Sequence, residues 1–178
     1  MDKEKHYPHS TMDKLTPEQR HRCMASIKGK DTKPEMLVRK FLWSRGFRYR
    51  LNHPRLPGKP DIVLRKYRTC IFVNGCFWHR HEGCGLFVMP KSRTEYWHAK
   101  IIRNQERDKR VKQELASMGW HSITIWECQL KPSSRDMTLE SLAYTLNRIF
   151  LLNHGAKGYD IPVQETTPKV AEESTEYR

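Results

Sequence analysis

Three potential metal ligands fall within nine residues, Cys76-x4-His81-x2-Cys84, and a fourth, Cys128, lies far downstream. Zinc takes four soft or borderline donors in a tetrahedron, and thiolates with an imidazole make such a set. The trio sits in an irregular stretch, residues 74–90, that no apolar face explains. Cys128 follows Trp120–Trp126, a β-branched and aromatic run that reads as a strand. It can rejoin the trio only through tertiary structure, so a closed structural site would tie a loop to a strand end. The intervals match no standard finger, and buried cysteines without metal are the competing reading. Five cysteines, an odd number, argue against a disulfide framework.

The remaining pattern is that of an α/β domain. Thr16-Pro17-Glu18-Gln19 reads as a helix start, and Gly29 as that helix's end. Thr32-Lys33-Pro34-Glu35 starts a second helix with a broad apolar face, Met36 to Trp43, closed by Gly46. Phe47, Tyr49 and Leu51 alternate with arginines, which predicts a half-buried strand. Asn52–Pro60 is turn-rich. Asp61–Leu64 and Cys70–Val73 are short apolar runs across a tight turn, a hairpin. Thr94–Met118 is the longest helical pattern; its stripe runs Trp97, Ile101, Asn104, Asp108, Val111, Leu115, Met118, with two polar members. Leu139, Leu142, Leu146, Ile149 and Phe150 mark a last helix. The expected division is a flexible N-terminus over 1–15, one domain over 16–153 and a disordered tail over 154–178.

Charge narrows the function. The chain carries +13 overall, and the first 155 of its 178 residues carry 30 basic against 15 acidic side chains. A body of that charge suits nucleic acid or an anionic surface. The longest uncharged run, Leu115–Trp126, is twelve residues, too short for a spanning helix of about 20. The first ten residues hold no apolar run of the secretory kind.

Gly58-Lys59-Pro60-Asp61 places a carboxylate at the head of one hairpin strand, facing the end of the next. Mg²⁺-dependent nucleases hold a hard cation in this way, although an aspartate after proline is also an ordinary turn residue. His79, six residues past Val73, and the basic body favour the nuclease reading. Phe77 and Trp78 adjoin the cysteine loop and Trp97 starts the long helix, where they serve either stacking on bases or core packing. Glu35 fits a capping box and equally a carboxylate pointing into a cleft. Lys91–Lys112 holds eight basic and three acidic residues, a solvated face that adds to the positive body.

These residues resemble a known family. Leu56–Asp61, Ile71–His79, Arg93–Trp97, Asn104-x2-Arg107-Asp108, Gly119-Trp120 and Trp126-Glu127-Cys128 look like the very short patch repair mismatch endonucleases, in order, from about Arg22 to Leu130. The resemblance implies a restriction-endonuclease-like fold with a central mixed sheet flanked by helices. It implies a Mg²⁺-dependent nick 5′ to the thymine of a T:G mismatch, the lesion left when 5-methylcytosine deaminates. Asp61 then holds Mg²⁺ with the Val73 backbone carbonyl, His79 acts as base and Glu35 as the supporting carboxylate. Cys76, His81, Cys84 and Cys128 bind structural Zn²⁺. Phe77, Trp78, Trp97, Asn104 and Arg107 contact DNA, and the basic first helix completes the clamp. The implied context is a cytoplasmic bacterial monomer on mismatched duplex DNA, with no membrane partner and with room for other mismatch-repair proteins.

The chain departs from the family's best-known members in two places. They carry Thr-His where this chain has Val73-Asn74; a contact through the residue 73 carbonyl survives that change, and Asn74 cannot titrate. Glu82-Gly83 lengthens the step from His81 to Cys84 by one residue. A non-catalytic zinc protein that binds duplex DNA, and a related nuclease with another nucleic-acid substrate, stand as alternatives.

Overall fold

The computed structural model describes residues 16–26 and 29–155. The N-terminal stretch 1–15 and the tail beyond Gly155 lie outside the described residues, so the expectations for them do too. The elements run α1 (Pro17–Ala25), α2 (Lys33–Ser44), β1 (Arg50–Leu51), β2 (Ile62–Leu64), β3 (Thr69–Asn74), α3 (Thr94–Ser117), β4 (His121–Trp126) and α4 (Arg135–His154). Short 3-10 turns, Arg65–Tyr67 and Glu127–Leu130, follow β2 and β4. The strands lie in the order β1-β2-β3-β4. The first two pairings are antiparallel and β3 with β4 is parallel. A parallel pair needs a crossover, and α3 supplies it. This is the expected restriction-endonuclease-like α/β fold, a mixed sheet flanked by helices.

Strand alternation divides the core. Ile62, Leu64, Ile71 and Ile125 face α2 and α4, where Val38, Leu42, Leu139, Leu142 and Leu146 close over them. Val63 and Cys70 face the other way, against Val111 and Leu115 of α3. The long helix thus covers the side of the sheet that carries the site.

Local chemistry sets the helix ends. Thr16 and Gln19 exchange side chain and backbone bonds at 3.2 and 2.9 Å, the capping box expected for α1. That helix stops at Ala25, before Gly29, with Ser26 as its C-cap: the Ser26 hydroxyl donates to the Cys23 carbonyl at 2.8 Å and the Ser26 amide to the Arg22 carbonyl at 3.0 Å. The strand expected over 47–51 shrinks to Arg50–Leu51. β2 is only three residues long and offers only Val63 and Ile62 as partners. Phe47 is buried instead by packing on Tyr67, centroids 5.3 Å apart, while Leu51 is exposed. Met118 leaves the α3 stripe for solvent. Gly119, at φ +71°, turns the chain, and Arg68 donates to the Met118 and Gly119 carbonyls at 2.9 and 3.0 Å, capping the helix.

Candidate active site and metal centre

Asp61 has the same parity as Val63, and Asn74 the same as Phe72, so both belong to the α3 face of the sheet. A cleft of about 360 Å³ opens there, lined by Glu35, Asp61, Asn74, Trp78, His79 and Asp108 among others. Five of these six were singled out by the sequence, from three separate segments; Asp108 is the sixth.

Asp61 sits where the hairpin pairing stops. Its Oδ2 accepts the Val73 amide at 2.8 Å. Continuing the register of Ile62 with Ile71 puts Pro60 opposite Val73. Proline has no N–H, so the Val73 carbonyl receives no ladder bond from that residue. The Asp61 carboxylate therefore stands at the strand end beside Val73, a hard oxygen donor of the kind Mg²⁺ takes. Burial pushes the Asp61 carboxyl above its ordinary 3.8. The Val73 amide, Arg39 and His79 oppose that shift, and Glu35 adds to it.

Glu35 is both cap and cleft residue. Its amide donates to the Thr32 hydroxyl at 3.4 Å, and that hydroxyl donates to Glu35 Oε1 at 2.9 Å. Its Oε2 accepts the Asp31 amide at 3.1 Å and Arg39 Nη2 at 2.8 Å. Arg39, almost fully buried, also pairs with Asp31. The guanidinium offsets the cost of holding a second carboxylate near Asp61.

Across the cleft His79 Nδ1 pairs with Asp108 Oδ2, and Arg107 Nη2 donates to Asp108 Oδ1 at 3.2 Å. Burial pushes the Asp108 carboxyl up, but the His79 bond and charge, with Arg107, outweigh it and hold the group below 3.8. Asp108 is therefore anionic at neutral pH. With Nδ1 engaged by Asp108, Nε2 is the ring nitrogen of His79 left for a water or substrate. Sequence reasoning saw Asp108 as a polar member of an apolar stripe and as part of a motif shared with the family, and gave it no role. The stripe position was the available signal, since a carboxylate on a half-buried face requires a partner.

The aromatics form one cluster. Phe77 lies 5.2 Å from Trp78 and 5.4 Å from Trp97, and Trp78 lies 5.9 Å from Trp97, centroid to centroid. All three are half-buried. Asn104 Nδ2 donates to the Trp78 carbonyl at 3.0 Å, so this side chain secures the loop that carries Trp78 and His79. Lys100 Nζ stands 5.3–5.7 Å from the rings of Trp78, Tyr96 and Trp97. That lysine was missed because only the fold brings the three rings around it.

The cysteine quartet closes as expected. The ligand atoms of Cys76, His81, Cys84 and Cys128 all lie within 4.8 Å of one another. His81 Nδ1 is 3.6 Å from Cys76 Sγ and 3.3 Å from Cys128 Sγ. The edge of a tetrahedron with metal–sulfur bonds of about 2.3 Å is roughly 3.5–3.8 Å, so the donor set fits a tetrahedral ion. Burial pushes the Cys76 thiol up to about 12. The Leu86 amide, 3.4 Å from Cys84 Sγ, pulls that thiol down. The extra residue in the loop is absorbed at Gly83, φ +72°, where the Cys84 amide returns to the His81 carbonyl at 3.3 Å.

Comparison with known proteins shows the family. Residues 12–85 match the family described as DNA mismatch endonuclease Vsr. A type II nicking enzyme of Neisseria meningitidis serogroup A, V.NmeAIP, is 50% identical over 119 residues, covering 67% of this chain and 84% of the relative. The DNA mismatch endonuclease Vsr of Escherichia coli K12 is 40% identical over 134 residues, 75% of this chain and 83% of the relative. The type II nicking enzyme V.HpaIIP of Haemophilus parainfluenzae is 42% identical over 130 residues, 72% and 92% respectively. With identity at this level across most of each relative, the chain belongs to the Vsr family of DNA mismatch endonucleases.

Proposed function

We propose that this endonuclease nicks duplex DNA 5′ to the thymine of a T:G mismatch, with Mg²⁺ in the cleft, and so begins repair of deaminated 5-methylcytosine. The observation that carries the reading is the convergence of Asp61, Glu35 and the His79–Asp108 couple on one cleft of a strongly basic body.

Asp61 and the Val73 carbonyl hold the cation, and Glu35 supports them. A bound Mg²⁺ supplies charge neutralisation at the scissile phosphate. His79 takes the proton from the attacking water at Nε2, and Asp108 fixes the ring and stabilises the imidazolium that forms. Arg107 contacts the DNA backbone, and the remaining α3 cations add affinity without reading sequence. Phe77, Trp78 and Trp97 wedge beside the mismatch. A wobble pair is weakly stacked, so opening it costs less than opening a matched pair. Asn104 acts through the Trp78 loop. Cys76, His81, Cys84 and Cys128 hold Zn²⁺ as a structural ion. Residues 16–153 form the endonuclease domain.

The test is a nicking assay on end-labelled T:G and T:A duplexes, with Mg²⁺ and with EDTA. Cleavage only of T:G, only with Mg²⁺ and at the 5′ side of thymine is the expected result. Equal cleavage of both duplexes removes the mismatch from the proposal, and tight binding without cleavage points to Asn74, the group that cannot titrate.

Two variants separate the roles. Asp108→Asn should lower the single-turnover rate by roughly 10²–10⁴-fold with little change in DNA affinity, because the imidazolium loses its anionic partner. A rate within about threefold of wild type would leave Asp108 a structural neighbour. Trp78→Ala should reduce discrimination of T:G from T:A by about 1–3 kcal/mol, the scale of one base-stacking contact. Phosphate contacts are common to both duplexes, so equal losses on the two would assign Trp78 to packing alone.

A further inference from the structure

The catalytic cleft, about 360 Å³, and a neighbouring cavity of about 420 Å³ share one wall, made of Asn74, His79, Asp108 and Lys112. His79 and Asp108 have their roles in the proposed chemistry. Asn74 and Lys112 do not. Asn74 is only 9% exposed, and its carboxamide makes no hydrogen bond among the described residues. Its nitrogen and oxygen are not sealed in the core, so they open on the two cavities. A nearly buried amide without a partner is a cost to the free fold, and a ligand that accepts its N–H removes that cost.

Lys112 follows Asp108 by four residues on α3, so the two side chains leave the helix on one side. Packing fixes that helix against the hairpin. A Cβ at Gly58 would stand 2.5 Å from Val111 Cγ1, so the turn that leads into Asp61 lies directly on α3 beside Lys112. Charge then separates Lys112 from its neighbours. Of the carboxylates lining the cleft, Glu35 is engaged by Arg39, and Asp108 by His79 and Arg107. The cleft's lysines, Lys59 and Lys112, pair with no acid among the described residues. Only Lys112 also lines the second cavity, and so stands on the wall that holds His79.

We propose, on the nicking reading, that Lys112 is a further catalytic residue: its ammonium bonds a non-bridging oxygen of the scissile phosphate, and the Asn74 carboxamide donates to the same group. At position 74 the family's best-known members have an ionisable histidine; this chain has a neutral donor there and brings the charge from α3. A lysine is a point charge on a flexible stem, suited to following a phosphoryl group through its displacement. Its bond to phosphate is charge-assisted and acts where charge is redistributed in the reaction. Lys112 transfers no proton.

The test separates this contact from general affinity. Cleavage of the P–O3′ bond leaves the phosphate on the thymine's 5′-oxygen, so a pre-nicked T:G duplex carrying that 5′-phosphate is the product and binds without chemistry. Its dissociation constant is compared with that of the same duplex ending in a 5′-hydroxyl, both in Mg²⁺. The wild type should prefer the phosphate. Lys112→Met should lose roughly tenfold of that preference, and Asn74→Ala roughly threefold. Lys112→Arg, which keeps the charge, should retain most of it. Arg110→Met, an exposed change elsewhere on α3, should bind the two duplexes in the wild-type ratio. In single-turnover nicking of intact T:G duplex, Lys112→Met should fall roughly 10²-fold, with affinity changed by less than about threefold. Lys112 is exposed, so its melting temperature should match the wild type. A wild type indifferent to the 5′-phosphate, or a Lys112→Met variant with the wild-type preference, overturns the proposal. Loss of affinity for both nicked duplexes alike would make Lys112 one more backbone cation. If the wild type never nicks intact T:G duplex, the nicking reading fails, and the phosphate preference still decides whether Lys112 and Asn74 form a phosphate site.

Discussion

Asp61→Ala should abolish nicking and leave binding to a T:G duplex largely intact. In the proposed site the carboxylate is the charged anchor of the cation, at the strand end where the Val73 amide donates to it. Without it the transition state loses several kcal/mol of charge stabilisation, a fall of at least about 10³-fold in rate. Affinity rests on different groups, the cations of α3 and the aromatic cluster, which the substitution does not touch. In metal-free buffer binding should tighten slightly, because a negative charge near phosphate disappears. Single-turnover nicking and a binding titration on the same duplex read the two effects separately. Wild-type cleavage by the variant would move the cation site elsewhere.

Asp61→Asn sharpens the same test. Burial raises the Asp61 carboxyl above 3.8, so the folded state favours the protonated form. The sign follows: stability falls as pH rises through 3.8 towards the folded value, and at neutral pH the ionised group is a net cost to the fold. Asparagine keeps an oxygen for the Val73 amide and removes the charge. The variant should therefore be at least as stable as wild type in thermal melts without metal, while nicking is lost. A large drop in melting temperature would instead make Asp61 a structural residue. Stability exchanged for activity at one position is what a working site shows.

How much of this was legible in the sequence depends on the kind of constraint. The cysteine quartet was readable because few roles demand three thiols and an imidazole, and ligand chemistry does not depend on which element carries each donor. Asp61 was readable because a hairpin's pairing can be inferred from two short apolar runs and a turn. Glu35 was ambiguous in sequence and remains double in structure: the bonds to Thr32 and Asp31 that cap α2 also hold its carboxylate in the cleft. Asp108 and Lys100 escaped because their partners are 29 residues away, in His79, or gathered only in space, as with Trp78, Tyr96 and Trp97. Leu51 was misjudged for the same reason. Its alternation with arginines was real, but whether that face is covered depends on how far β2 extends, and β2 stops after three residues.

Cys128→Ala should cost the protein its structural ion and much of its stability. The other three ligands belong to one loop, and Cys128 is the bond that ties the loop to the segment after β4. The loop also carries Phe77, Trp78 and His79, so its path decides whether the aromatic cluster and the His79–Asp108 couple form. Structural zinc contributes binding energy directly to folding, on the order of 10 kcal/mol in small metal-dependent domains. Here two cores survive without it, one on each side of the sheet, so the expected loss is partial: roughly 3–5 kcal/mol, or about 10 °C in melting temperature for a chain of this size. Cys23→Ala is the control, since Cys23 is exposed and outside the cluster, and it should change neither metal content nor melting. Metal analysis of the wild type should find one zinc per chain. Titration of the native protein with a thiol reagent should find Cys23 reactive and the three cluster thiols protected until a chelator is added. Native protein with no zinc and three freely reacting cluster thiols would reduce the quartet to neighbouring cysteines. The fold would then hold the loop by weaker contacts such as the 3.0 Å bond from Asn104 to Trp78, the packing of Phe77 and Trp78 on Trp97 and the stacking of His81 on Trp126 at 4.2 Å. Those are contacts of about 1 kcal/mol each, so without the ion the path of the segment that carries His79 would be less firmly fixed.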